Sequence, residues 1–312
     1  MKAIQFKTFG SPEVLELVEA PVPKITDDQV LIKVQAAALN PIDAKIREGS
    51  SFVCEHLELP SGLGFDVCGT VVECGQNVKD FQQGDEVLGS IGRYDNPSSY
   101  SEYCIAKPAE IVHKPKAITF DIAAATTISS LTAWQALHRH GQVKKNERVL
   151  IHAGAGGVGH FAVQFAKIAG AYVIVTASKQ HHVFLKTLGA DEIIDYTEAP
   201  FEEQVNNIDL VIDLVGGEVG LQSLKVLKPD GRMVTVPTIT RDLVLEKAKE
   251  KSVQATGMLA KMNTKDLNAV LDLIVNDKVH VKIAASFPLA KAKEAHEMLE
   301  EKHTQGKIVL LV

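Results

Sequence analysis

One stretch narrows the folds open to this chain: Arg148-Val149-Leu150-Ile151-His152-Ala153-Gly154-Ala155-Gly156-Gly157-Val158-Gly159. Val149-Leu150-Ile151 reads as a buried parallel strand. Gly154, Gly156 and Gly159 follow in G-x-G-x-x-G spacing, and a helical pattern through Phe161, Val163, Phe165, Ala166 and Ile168 runs to Ala169-Gly170. Tyr172-Val173-Ile174-Val175 then closes a β-α-β unit. Between two such strands the glycines carry a mechanism. Gly154 allows a tight turn, Gly156 lets backbone approach a pyrophosphate, and Gly159 lets the helix pack closely on the sheet. The N–H groups at the helix start, from Gly157 and Val158 onward, and the positive end of the helix dipole then hold phosphates. The stretch predicts a dinucleotide site.

The pattern continues downstream. Ile193-Ile194-Asp195, Leu210 to Val215 and Arg232 to Val236 read as strands, with a helix from Leu221 to Leu227 and a last strand at Val253 to Gly257. Such alternation predicts a doubly wound parallel sheet. Upstream the pattern differs. Leu15 to Val18, Val30 to Val34, Gly69 to Cys74 and Asp85 to Leu88 are short strands separated by Pro and Gly, which predicts a small, partly closed β-barrel. Asp121 to Ala125 and Leu131 to Leu137 read as helical, ending by Gly141. After two more helical patterns, Lys265 to Val275 and Leu289 to Glu301, the strand Lys307 to Val312 is expected to return to the N-terminal β unit. The expected domains are 1–122 with 260–312, and 123–259.

The length of 312 residues suits two domains. A net charge of −6 argues against general nucleic-acid or anionic-membrane binding. No apolar run approaches the ~18 residues of a membrane span, and Met1 to Lys7 alternates rather than forming a signal-peptide core, so a cytoplasmic location is expected. Cysteines 54, 68, 74 and 104 form no C-x-x-C pair and are expected to be reduced and partly buried.

Several strings in order resemble the medium-chain dehydrogenase/reductase superfamily, within its zinc-free quinone oxidoreductase branch. They are Ala38-Leu39-Asn40-Pro41-Ile42-Asp43, Gly69-Thr70-Val71-Val72, Phe81-Gln82-Gln83-Gly84-Asp85-Glu86-Val87, Leu131 to Leu137, the glycine loop, Leu188-Gly189-Ala190-Asp191 and Gly306-Lys307-Ile308-Val309. Asn-Pro-Ile-Asp and Gly-Lys-Ile-Val resemble the subgroup of the chloroplast-envelope quinone oxidoreductase homologue and the reticulon-interacting reductase. The resemblance implies a GroES-like catalytic domain for the β-barrel and a Rossmann domain for the parallel sheet. Zinc members carry Cys where this chain has the Asn40 region and His-Glu where it has Phe65-Asp66, and Phe cannot ligate zinc. His138 with His140, and His181 with His182, are badly spaced for a metal and read as surface residues. No metal is expected.

In NAD binders an acid at the end of the second strand bonds the ribose 2′-OH. Here that strand ends Val175-Thr176-Ala177-Ser178-Lys179. It offers no carboxylate to repel a 2′-phosphate, but it offers the Ser178 hydroxyl and the Lys179 charge. The expected cofactor is NADPH. Tyr196, after the third strand, is a candidate for the adenine end or a half-buried packing residue.

The resemblance makes Asn40 the leading catalytic candidate, its amide N–H bonding a quinone or enone oxygen; its other role is a turn residue before Pro41. Asp43 either relays a proton, orients the loop, or caps the next helical segment. Lys45 stands where some relatives have a Tyr near the cofactor, and Thr127 lies where the family has nicotinamide contacts. Tyr94, Tyr100 and Tyr103 receive no role. The expected activity is zinc-independent hydride transfer from NADPH to a quinone. The alternatives are reduction of α,β-unsaturated carbonyls and a non-catalytic NADPH-binding interaction protein. A homodimer is possible through an edge strand of the nucleotide domain.

Overall fold

The computed structural model describes residues 1–92, 98–301 and 304–312. Short β-branched runs cut by Pro and Gly make the first half strand-rich. β1 (Lys2–Gln5) and β2 (Glu16–Glu19) form an antiparallel pair. β3 (Val30–Ala38) is the central strand and is buried at seven of its nine positions. It leads into α1 (Pro41–Glu48). Pro41 suits the first helical position, where its missing N–H costs nothing. Gly49, at φ 83°, ends the helix in the left-handed conformation. β4 (Asp66–Cys74), β5 (Glu86–Ser90), β6 (Tyr103–Ala106) and β7 (Ile111–His113) complete this half.

α2 (Phe120–Trp134) is one helix continued by a π-helical turn over Gln135–His140, where the sequence suggested two pieces. The intervening Thr126, Thr127, Ser129 and Ser130 are all buried; tertiary packing overrides their weak helix propensity. There follow β8 (Arg148–Ile151), α3 (Gly159–Ile168), β9 (Tyr172–Thr176), α4 (His182–Thr187), β10 (Glu192–Ile194), α5 (Phe201–Gln204), β11 (Ile208–Asp213), α6 (Gly217–Val226), β12 (Leu227–Thr235), α7 (Arg241–Glu250) and β13 (Gln254–Gly257). The six strands form a parallel sheet in the order β10-β9-β8-β11-β12-β13. Val149, Leu150 and Ile151 are fully buried, as expected of a parallel strand covered on both faces. α6 begins earlier than Leu221 because Gly216, at φ 77°, lets the chain turn directly out of β11.

α8 (Thr264–Val275), β14 (Ile283–Pro288), α9 (Ala292–Glu300) and β15 (Lys307–Leu311) end the chain. β15 pairs antiparallel with β3 and parallel with β14, in a sheet ordered β14-β15-β3-β4-β5-β7 with β6 also on β3. The last strand therefore returns to the N-terminal β unit. The architecture is a GroES-like β domain plus a Rossmann-type parallel sheet.

The chain divides into two compact units. One comprises Met1–Ser129, Met262–Asn276 and Val281–Val312; the other comprises Ser130–Lys261 and Asp277–His280. The boundary falls inside α2. His280 belongs with the second unit because Gln164 clamps its backbone, donating to His280 O at 3.0 Å and accepting from His280 N at 2.7 Å. No helix among the described residues is long and apolar enough to cross a membrane.

Candidate active site

In the β-rich unit, three strand ends deliver a buried polar cluster. Asn40 follows β3 at the start of α1, Asp66 opens β4 opposite Ala38, and Lys307 opens β15. Because Val309 pairs with Ala38 antiparallel, the register sets Lys307 beside Asn40. Gly306 makes that entry possible: it adopts φ 92°, and a Cβ there would collide with the Lys282 carbonyl oxygen.

The contacts are specific. Lys307 Nζ donates to Asn40 Oδ1 and to Leu39 O, both at 2.6 Å. Asn40 Nδ2 donates to Asp66 Oδ2 at 2.9 Å, with a longer 3.5 Å approach to Ala38 O. Asp43 Oδ2 accepts from the Asn40 backbone N–H at 2.8 Å and from the Tyr100 hydroxyl at 2.9 Å. Asp66 also receives the Ile128 backbone N–H at 3.3 Å. Asn40, Asp43, Asp66, Tyr100 and Lys307 are all at most 4% exposed.

Burial shapes the charges. Desolvation pushes the Asp43 carboxyl up to about 7, against the opposing bonds from Asn40 and Tyr100. Asp66 is pushed up to about 6 by burial, opposed first by the Lys307 ammonium. Lys307 is itself lowered by burial, opposed by Asp66 and Asp43. Asp43 Oδ1 is buried with no hydrogen-bond partner among the described residues. The acid form of Asp43 is therefore held up to near neutrality, and that of Asp66 to slightly lower pH.

The glycine turn lies in the other unit, between β8 and α3. Its left-handed residue is Ala153, at φ 50°, not Gly154. Gly154 is needed for space, since a Cβ there would collide with Val175 Cγ1 of β9. At Gly159 a Cβ would collide with Ala153 O, so the helix can start this close only with glycine. At Gly156 a Cβ would stand 3.3 Å from Ala153 O, tight but not prohibitive. His160 N bonds Gly156 O and Ala162 N bonds Val158 O. Gly157 and Val158 thus stand at the helix start, where backbone N–H groups are left to an external acceptor. The bare-backbone cradle fits a dinucleotide pyrophosphate.

His152, unremarked in the sequence, fixes this turn. It is 1% exposed, and burial lowers it to about 4, so the ring is neutral at pH 7. Nε2 lies 2.9 Å from Ser223 Oγ, which itself donates to Val219 O at 2.7 Å, so Nε2 carries the proton. Nδ1 then accepts from Thr176 Oγ1 at 3.0 Å, joining the ends of β8 and β9.

At the end of β9, Ser178 is half-buried and Lys179 exposed. A carboxylate nonetheless reaches this loop from the next strand. Asp195, buried beyond β10, accepts from Thr197 Oγ1 at 2.6 Å and Thr197 N at 2.9 Å, and from the Lys179 backbone. These bonds hold the Asp195 carboxyl below its usual range. Sequence reasoning saw a loop without an acid because the acid arrives from another strand. Tyr196 is 49% exposed. In the β-rich unit, Lys45 lies half-buried on α1, held below its usual range by desolvation, and Thr127 is fully buried on α2. Tyr94 lies outside the described residues.

A metal ion fits poorly. Phe65 offers no donor, Asn40 Oδ1 is taken by an ammonium, and that positive charge opposes a divalent cation. Among the described residues no group of three His, Cys, Asp or Glu side chains is placed to hold one.

Two family models match the chain: an alcohol dehydrogenase GroES-like domain over residues 26–116 and a zinc-binding dehydrogenase over residues 188–310. The chain is 32% identical to the mitochondrial NAD(P)H oxidoreductase RTN4IP1 of Danio rerio, covering 100% of this chain and 91% of that protein. It is 34% identical to a chloroplastic NADPH-dependent alkenal/one oxidoreductase of Arabidopsis thaliana, covering 99% and 79%. Its structure matches the quinone oxidoreductase from Coxiella burnetii with a TM-score of 0.98 and 48% identity, covering 100% and 99%.

Proposed function

Because the chain belongs to the quinone oxidoreductase branch of the medium-chain dehydrogenase/reductase superfamily, we propose that it is an oxidoreductase that passes hydride from NADPH to a quinone without a metal ion. The glycine turn carries this reading: Gly154 and Gly159 leave only backbone at the start of α3. When bound, the reduced nicotinamide supplies the hydride. Gly156, Gly157 and Val158 would hold the pyrophosphate. Ser178 and Lys179 would meet the 2′-phosphate, and Tyr196 the adenine. Asp195 is ionised and opposes the 2′-phosphate, its oxygens engaged by Thr197 and the Lys179 backbone, so the reading rests on the Lys179 ammonium to offset that charge.

At the acceptor, Asn40 is the polarising group. One Nδ2 hydrogen is committed to Asp66. The other has only the 3.5 Å approach to Ala38 O, which is a weak bond that an acceptor oxygen can replace. Lys45 and Thr127 would contact the nicotinamide end. Asp43 holds the Asn40 backbone and is the group placed to store a proton. A homodimer through the outer strand β13 belongs to the same reading and is checked by light scattering.

Reduction of α,β-unsaturated carbonyls is the second reading, favoured by the relative named for alkenals and enones. Hydride then goes to carbon, and the same Asn40 N–H meets the developing enolate oxygen. The test is oxidation of NADPH and of NADH across quinones and enones. The proposal expects quinones to give the highest kcat/KM, with NADPH preferred. Equal efficiency with both nucleotides would remove the 2′-phosphate assignment. NADPH binding without oxidation by any acceptor would leave a non-catalytic binding protein.

A further inference from the structure

Lys307 is a full positive charge buried at 3% exposure on the first residue of β15, and the reaction as proposed above gives it no task. Taking an ammonium out of water is unfavourable unless its bonds compensate. An apolar residue could start this strand more cheaply, as Ile308, Val309 and Leu310 continue it. The ammonium is instead directed at one atom of the candidate catalytic amide. We propose that Lys307 is the positioning residue of the acceptor site: its ammonium locks the Asn40 amide in one orientation and strengthens its N–H as a donor.

The geometry leaves one solution for the amide. Lysine can only donate and an ionised carboxylate can only accept. The atom of Asn40 facing Lys307 at 2.6 Å must be Oδ1, and the atom facing Asp66 at 2.9 Å must be Nδ2. With an apolar residue at 307 the burial-raised Asp66 carboxyl loses the ammonium that opposes its protonation; once protonated it could donate to Oδ1 of an amide turned over, which presents an oxygen where a donor is needed. The cation also withdraws electron density through Oδ1, so the N–H is more polar than that of a free amide. The Lys307 bond to Leu39 O ties the same ammonium to the backbone entering Asn40. The charged groups facing the amide are thus Lys307, Asp66 and Asp43. They sum to zero with one proton on the carboxyl pair and to one negative charge without it. The added negative charge opposes charge building on the acceptor oxygen.

This inference rests on the reductase reading, and its test separates the two. Wild-type protein is assayed with NADPH and its best quinone or enone from pH 5 to 9, and NADPH binding is followed by nucleotide fluorescence. The variants are Lys307→Met, Lys307→Arg and the double variant Lys307→Met/Asp66→Asn. The double variant removes both charges together and so avoids leaving one unpaired in the core. Losing one well-placed donor typically costs about 10²–10³ in kcat. Lys307→Met and the double variant are expected to lose about tenfold or more in kcat, with the NADPH Kd unchanged within about twofold. Lys307→Arg is expected to recover part of the loss. Wild-type kcat is expected to fall above an apparent pKa of about 7, and the double variant, which keeps Asp43, to keep that limb. A folded, NADPH-binding double variant with wild-type kcat would overturn the role of Lys307. So would a folded Lys307→Arg variant, which keeps the charge, with a kcat no higher than that of Lys307→Met. Wild-type protein inert toward every acceptor would instead sink the reductase reading itself.

Discussion

At the residue scale the informative groups are carboxyls whose surroundings the sequence does not reveal. Asp43 sits at N3 of α1, where a carboxylate would serve an N-terminus, yet it is fully buried and its acid form is favoured. Its folded pKa, about 7, lies above the unfolded value near 3.8. Between those values the folded chain binds a proton that the unfolded chain does not. The stabilisation is complete below about pH 4 and is lost as pH rises through 7. At 1.36 kcal/mol per unit the upper bound is about 4 kcal/mol. Asp43→Asn keeps an acceptor for the Asn40 N–H without the charge, so its stability in urea is expected to decline less than wild type between pH 5 and 8. An unchanged slope would show that Asp43 is ionised throughout. Lys179 makes a different test. It is exposed, and its value lies in the ligand: Lys179→Ala is expected to raise KM for NADPH about tenfold, the scale of one charge-assisted bond, and to leave NADH nearly unaffected. Equal effects on both nucleotides would place the 2′-phosphate elsewhere.

At the element scale the glycine turn separates packing from binding. The Cβ of Gly154→Ala would meet Val175, and that of Gly159→Ala would meet the Ala153 carbonyl. Each is expected to destabilise the nucleotide unit by about 1–3 kcal/mol, as overpacking does. Gly156→Ala meets only a 3.3 Å neighbour. It is expected to weaken NADPH binding while shifting Tm little, because its methyl would stand where backbone approaches the pyrophosphate. Calorimetry and NADPH titration of the three variants check the split, and a Gly156→Ala protein as unstable as Gly154→Ala would refute it. The β-α-β unit was legible because its signals are local: an apolar strand, three glycines and a helical period within one short span. α2 was not fully legible. Its buried Thr126, Thr127, Ser129 and Ser130 look like a break in sequence and are helical only because they are packed. β14 was missed, since Ile283-Ala-Ala-Ser-Phe-Pro288 alternates weakly and exists as a strand by pairing with β15.

At the scale of the whole molecule, dialysis against a strong chelator is expected to leave both activity and Tm unchanged, since Lys307 already supplies the cation of the Asn40–Asp66 cluster. Loss of activity on chelation, restored by zinc, would reverse that view. The two kinds of unit, the glycine turn and the return of the last strand were readable along the chain, as was Asn40 as a candidate. Each depends on periodicity, turn chemistry or residue type within a few positions. Which charges meet follows from strand pairing between distant segments. Lys307 and Asn40 are 267 positions apart and touch because β15 pairs with β3 in one register. Asp195 reaches the loop after β9 because β10 lies beside that strand. Side-chain chemistry is written locally along a chain, but desolvation and Coulomb interaction depend on distance in space, which strand pairing sets.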